Sequence, residues 1–253
     1  MGVYEQVTYS VVRGYRPLLL DLYLPEGVHS PPIVVWIHGG SFHSGDRRWL
    51  HRTIPDNSVF TGLVEAGIAC ASIDYRLSKE AVWPAQKDDA GAAIEFLRAQ
   101  AERYGFDADR MGVWGDSAGG LLALMTAFTR TDVRAVAAWY PITDILDMDG
   151  AGGELPYSPW LGGWPSEIPN LCAQASPITH VRPNLPPCLL VHGEKDTLVP
   201  ARQSQRLYTR MAEVGAEVVY RNVPDAEHGF DGHPNVAGIV TETIEFLRAT
   251  LIS

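Results

Sequence analysis

The sequence predicts an α/β architecture: a mainly parallel sheet of about eight strands with helices on both faces. Three observations carry this. Short β-branched and aromatic runs recur along the chain, separated by segments with apolar residues at helical spacing. Several of the runs are apolar at every position, as strands covered on both faces are. The chain has 253 residues, 46% apolar and 20% charged, enough to close one large core. One domain is expected over residues 1–253, with residues 143–187 inserted as an irregular lid or pocket wall.

In order, residues 5–12 and 17–24 read as two strands joined by a turn at Arg13-Gly14, an antiparallel pair. Ile33–Ile37 is a fully apolar strand ending in His38-Gly39-Gly40-Ser41-Phe42. Residues 57–66 read as a helix closed by Gly67. A strand over 68–73 ends at Asp74-Tyr75-Arg76-Leu77, read as a structural anchor of ion pairs and hydrogen bonds. Residues 84–104 form a long helix, with Ala90, Ala93, Ile94, Leu97, Ala101 and Tyr104 on one stripe and Gly105 as its stop. Strands follow at 111–114, 133–139, 188–191 and 217–223. Helices are read after the first of these, over 121–127, and at 201–214 and 235–251. Residues 143–187 break the rhythm. They are rich in Pro and Gly and hold Trp160 and Trp164, which argue against disorder.

Composition excludes several classes. Net charge is −10 with no basic stripe, so no nucleic-acid partner is expected. Cys70, Cys172 and Cys188 are scattered and odd in number, against a disulfide framework or a zinc site. No apolar run reaches the roughly 18–20 residues of a membrane span. Residues 1–10 lack the pattern of a signal peptide, so a cytoplasmic location is expected. Asp144, Asp147 and Asp149 lack the glycine and terminal glutamate of a calcium loop and read as a solvated acidic face.

Chemistry concentrates at four strand ends, which in a parallel sheet all face one side. Gly115-Asp116-Ser117-Ala118-Gly119 is a G-x-S-x-G match between a strand and a helix. Such a turn puts the serine at its apex, at a helix N-terminus that favours developing anions. Alone the match is weak, since a glycine-rich turn with an ordinary serine reads the same. Support comes from the rest of the chain. Serine needs a base, and His228, in Asp225-Ala-Glu-His-Gly-Phe230, is the candidate; His233, ahead of Pro234, is the rival, and the other six histidines read as structural. The base needs an acid to fix its tautomer. Asp196 follows the strand at 188–191, with Glu194 as its alternative. Backbone N–H groups of Ala118, Gly40 and Ser41 are the expected oxyanion donors. The order Ser117, Asp196, His228 is that of α/β-hydrolases.

As a set, His38–Phe42, Asp74–Leu77, Gly115–Gly120, His192–Asp196 with Val199-Pro200, and His228–Phe230 resemble the α/β-hydrolase superfamily. Within it the chain is similar to the hormone-sensitive-lipase-like, acetyl-xylan and feruloyl-esterase-like carboxylesterases and to kynurenine-formamidase-like enzymes. The resemblance implies the α/β-hydrolase fold and no cofactor or metal. It also implies hydrolysis of a small-molecule ester through an acyl-enzyme; the lack of a large cap and of an obvious long apolar groove points to a short acyl or small aromatic acid. Two departures stand out. Ser41 replaces the third glycine of the lipase pattern, though its N–H can still donate. Only strand-like sequence precedes His38, so a small cap or none is expected. Phe42, Trp160, Trp164 and Val199 are the expected pocket walls. Two alternatives stay open: an amide or formamide substrate on the same triad, and a non-catalytic ligand-binding protein on the same fold. No membrane partner is expected. A homodimer through the 217–223 edge is an assembly the pattern permits.

Overall fold

A computed structural model describes residues 1–148 and 156–252. One eight-stranded sheet organises them, in the order β1-β2-β4-β3-β5-β6-β7-β8. The strands are β1 (Gly2–Ser10), β2 (Leu18–Leu24), β3 (Pro32–Ile37), β4 (Ala69–Ile73), β5 (Asp107–Asp116), β6 (Ala135–Trp139), β7 (Cys188–Gly193) and β8 (Val218–Val223). β2 runs antiparallel to both β1 and β4, and every other neighbouring pair is parallel. Among the described residues the α-helices are α1 (Ser58–Glu65), α2 (Ala85–Tyr104), α3 (Ala118–Thr129), α4 (Pro169–Ala175), α5 (Arg202–Glu213) and α6 (Val236–Leu251).

Alternation along the buried strands builds two cores. In β3, Ile33, Val35 and Ile37 join the core under α2, α3, α4 and α5, while Val34 and Trp36 join the core under α1 and α6. The second core centres on Trp36, Trp114 and Trp139, which meet edge to face with centroids 4.8–6.2 Å apart. The Trp139 indole N–H donates to Thr243 on α6 at 3.0 Å. All three cysteines are buried and unpaired, and burial pushes their thiols up.

The expected elements are present, with shifts that have local causes. β1 starts earlier than its sequence suggests. Its ladder to β2 slips between Tyr4 and Val7, so the period-two pattern breaks and most of its residues are exposed. The segment expected to be irregular holds a short helix, α4, whose first residue is Pro169. Seven residues give too few turns for an apolar stripe to be read. Asp144 and Asp147 pair with Arg206 and Arg202; Asp149 lies outside the described residues. No described helix is long and apolar enough to cross a membrane.

The motif at Asp74–Arg76 is an anchor in fact. The Asp74 carboxylate accepts the Arg47 amide at 2.9 Å. Arg76 clasps Asp89 of α2 with contacts of 2.7–3.0 Å. The Tyr75 hydroxyl donates to the His38 carbonyl at 3.0 Å, and its ring stacks on His38. This fastens the loop after β3 to the end of β4.

Candidate active site

β5 runs into Asp116, and α3 begins at Ala118, so Ser117 alone makes the turn. It sits at φ 51° and ψ −116°, a strained setting for a residue with a side chain. Its amide donates to the Trp139 carbonyl at 2.9 Å. The flanking glycines are forced by close approach. A β-carbon on Gly119 would lie 2.0 Å from the Ile37 carbonyl oxygen, and one on Gly115 2.3 Å from that of Gly119. Both obstacles are backbone and cannot swing away.

Ser117 Oγ donates to His228 Nε2 at 3.1 Å, and His228 Nδ1 donates to Asp196 Oδ2 at 2.7 Å. The chain of hydrogen bonds is continuous. Asp196 Oδ1 accepts the amides of Leu198 and Val199 at 3.0 and 2.8 Å. His192, at the end of β7, sends its Nε2 proton to the Val199 carbonyl at 2.8 Å and sits 3.3 Å from Asp196 Oδ2. Burial pushes the Asp196 carboxyl up. The hydrogen bonds from His192, His228 and Val199 and the charge of His228 outweigh burial and hold it at about 2. The Glu194 carboxylate accepts the Asp225 amide at 3.4 Å, and His233 joins the loop through its backbone. Neither rival stands in the chain.

The loop after β3 supplies free donors. Gly39 N–H is taken by Asp116 Oδ1 at 2.7 Å. The amides of Gly40, Ser41 and Ala118 have no hydrogen-bond partner among the described residues. Ser41 and Phe42 both lie at positive φ, 54° and 61°. This pair is held from both ends: the Gly40 carbonyl accepts the amides of His43 and Ser44 at 3.0 Å, and the Phe42 carbonyl accepts that of Ser78 at 2.7 Å. His38 is buried here, and burial pulls its imidazole down to about 4, so it is a neutral structural ring.

A cleft of about 230 Å³ opens on Ser117. Ser41, Phe42 and Ala118 line it together with Ile142, Met148, Trp160, Leu198 and Val199. Phe42 and Trp160 stack with centroids 4.1 Å apart, and Trp83 abuts Trp160 edge-on. Trp164 departs from expectation. It lies outside the cleft lining, is 43% exposed and rests edge-on against Tyr157. The chain folds back there through the antiparallel Ser158–Gly163 bridge, with Trp160 inside the turn and buried and Trp164 beyond it and exposed.

Sequence reading missed Tyr140, just past β6. Its ring meets His228 edge-on at 4.7 Å, and its hydroxyl donates to Asp116 Oδ2 at 3.2 Å. It also missed Ile142, Met148 and Leu198, which carry no motif. Asp116 is fully buried between Gly39 and Tyr140. Burial pushes its carboxyl up to about 7, against the pull of those two donors.

A family model described as BD-FAE matches residues 20–211, a span that ends before His228. The chain is 30% identical to esterase LipQ of Mycobacterium tuberculosis over 241 residues, which cover 86% of this chain and 55% of that protein. It spans about half the length of such curated relatives. A truncated form of a carbohydrate esterase from gut microbiota superposes with a TM-score of 0.85 at 25% identity, covering 100% of this chain and 97% of that one. The Bifunctional GH43-CE of Bacteroides eggerthii superposes at 0.82 with 27% identity, covering 97% of this chain and 38% of that one. The matched span holds the nucleophile turn and the loop after β3, on a sheet these structures share, and by it the chain belongs to the BD-FAE family of hormone-sensitive-lipase-like α/β-hydrolases.

Proposed function

We propose that this chain is a serine carboxylic-ester hydrolase acting on short-acyl or small aromatic esters. The carrying observation is the unbroken Ser117–His228–Asp196 hydrogen-bond chain beside unpaired amides at the cleft. Ser117 Oγ attacks the ester carbonyl as His228 Nε2 takes its proton. The carbonyl oxygen becomes an oxyanion, held by the N–H groups of Gly40, Ser41 and Ala118. His228 then gives its proton to the departing alcohol, leaving an acyl group on Ser117. Water, deprotonated by His228, attacks that acyl group, and the acid leaves. Asp196 keeps the His228 proton on Nδ1 and stabilises the imidazolium that forms at each stage.

The cleft volume lies below the roughly 300–1,000 Å³ of drug-sized pockets, which favours a small acyl group. Sugar esters are a class to test, because a carbohydrate esterase from gut microbiota shares the fold over the full length of this chain. The test is hydrolysis of p-nitrophenyl esters from acetyl to decanoyl, then of acetylated and feruloylated sugars, by wild type and Ser117→Ala. Activity peaking at acetyl or butanoyl is expected, with kcat at least about 10⁴-fold lower in the variant. Retained turnover by Ser117→Ala would reject the nucleophile, and a preference for octanoyl over butanoyl would reject the substrate class.

A further inference from the structure

The loop carrying His228 is gripped from a side that Ser117 and Asp196 do not touch. Residues 51–53 lie against it. The Thr53 hydroxyl donates to the Gly229 carbonyl. The same oxygen lies 2.9 Å from His51 Nδ1, and the Thr53 amide reaches that nitrogen at 3.5 Å. The His51 ring fills the space where Gly229 lacks a side chain: a β-carbon there would lie 2.2 Å from His51 Cε1 and 2.4 Å from Nδ1. One residue further, Arg52 pairs with Asp231.

The loop needs such a grip. Gly229 and Phe230 lie at consecutive positive φ, 70° and 61°, and the second of these is strained. Within the loop, Glu227 N–H reaches the Asp231 carbonyl and Phe230 N–H that of Glu227. The His228 ring must meet Ser117 at 3.1 Å and Asp196 at 2.7 Å together. The groups facing His51 are His228, Arg52 and Asp231, with the Trp49 ring edge-on. Burial first, then the charges of His228 and Arg52, pull His51 below its ordinary value, with Asp231 opposing.

We propose that Thr53 and His51 are positioning residues for the base: they clamp the Gly229 carbonyl and so hold the His228 imidazole in reach of both partners. The proposal rests on the ester-hydrolase reading above. Misplacing a reacting group by about 1 Å costs on the order of 10²-fold, so a clamp on the neighbouring peptide acts on turnover more than on substrate binding.

The experiment measures kcat and KM on p-nitrophenyl acetate for wild type, Ser117→Ala, Thr53→Val, Thr53→Ser and His51→Phe. It also measures the rate at which a fluorophosphonate phosphonylates Ser117, forming a P–O bond and expelling fluoride, a step that needs the base but no ester binding. Thr53→Val is expected to lower kcat about tenfold with KM within about twofold, and to slow phosphonylation in step. Thr53→Ser restores both rates, and His51→Phe lowers both by less. Should thermal melting show Thr53→Val unfolded, His51→Phe decides the matter in the same direction. Both rates within about twofold of wild type in Thr53→Val and in His51→Phe would overturn the clamp. Absence of Ser117-dependent turnover in wild type would instead reject the hydrolase reading, and the clamp with it.

Discussion

The nucleophile turn and the aromatic wall opposite it are held by different kinds of contact. At the turn, backbone meets backbone: Gly119 packs on the Ile37 and His38 carbonyls, and Ser117 N–H reaches Trp139 O. At the wall, side chain meets side chain: Trp160 stacks on Phe42 and abuts Trp83, joined to the frame by the Trp83 N–H to Trp160 carbonyl bond of 2.6 Å. Peptide groups in a packed sheet have one arrangement, whereas stacked rings can be exchanged for others of similar volume. Under the proposed function, the difference would put the chemistry in the backbone and the choice of acyl group in replaceable side chains.

This contrast breaks if changes to the two regions behave alike. The largest effect belongs to the acid of the hydrogen-bond chain. Asp196→Asn leaves the turn folded but presents His228 with the wrong tautomer, and kcat should fall on the order of 10³–10⁴-fold. Steady-state kinetics on p-nitrophenyl acetate reads this, and a fall under tenfold would remove Asp196 from its role. Gly119→Ala comes next. Its new β-carbon meets fixed carbonyls, so urea unfolding should show a loss of about 3 kcal/mol or more, with activity lost as well. Near-native stability would show that the sheet gives way there.

Trp160→Ala should cost about 3 kcal/mol through the void it leaves and widen the cleft. The ratio of kcat/KM for hexanoyl over acetyl esters should then rise several-fold, by about 1 kcal/mol of differential binding. Trp164→Ala, outside the cleft, is the matched control, and an equal shift in it would erase the distinction between the two tryptophans.

The smallest effect is a pH dependence at the turn. Asp116 is raised in the folded state, to about 7, from an ordinary aspartate value near 4. A raised carboxyl gives stability that is full below the unfolded value and is lost as pH rises through the folded one. From about pH 4 to 7 the wild type should therefore lose stability relative to Asp116→Asn, by a few kcal/mol at most, and the gap should stay level above. Urea midpoints at pH 4.5, 6 and 8 measure it. A gap that does not change with pH would mean that Asp116 is not titrating in this window.

Much of the site was legible because its residues sit where the chain must do something local and unusual. Ser117 is announced by glycines on both sides, and Asp196 and His228 by turns after apolar runs. Trp164 was misplaced because sequence marks a tryptophan as apolar without saying which way the chain folds around it. The bridge between Ser158 and Gly163 decides that. Tyr140 was passed over because a tyrosine after a strand looks like any core residue. Its value lies in where Asp116 and His228 stand, 24 and 88 positions away along the chain.

By itself the sequence determined the alternation of strands and helices, the two-faced burial of the sheet and the strand ends bearing Ser117, Asp196 and His228. These follow from local periodicity and turn chemistry, which act over a few residues. Only the tertiary structure decided that Thr53 meets Gly229, that Asp116 is buried between Gly39 and Tyr140, and that Phe42 stacks on Trp160. Such contacts join positions far apart in the chain. They are selected by packing of the whole sheet and its helices, which no short window of residues encodes.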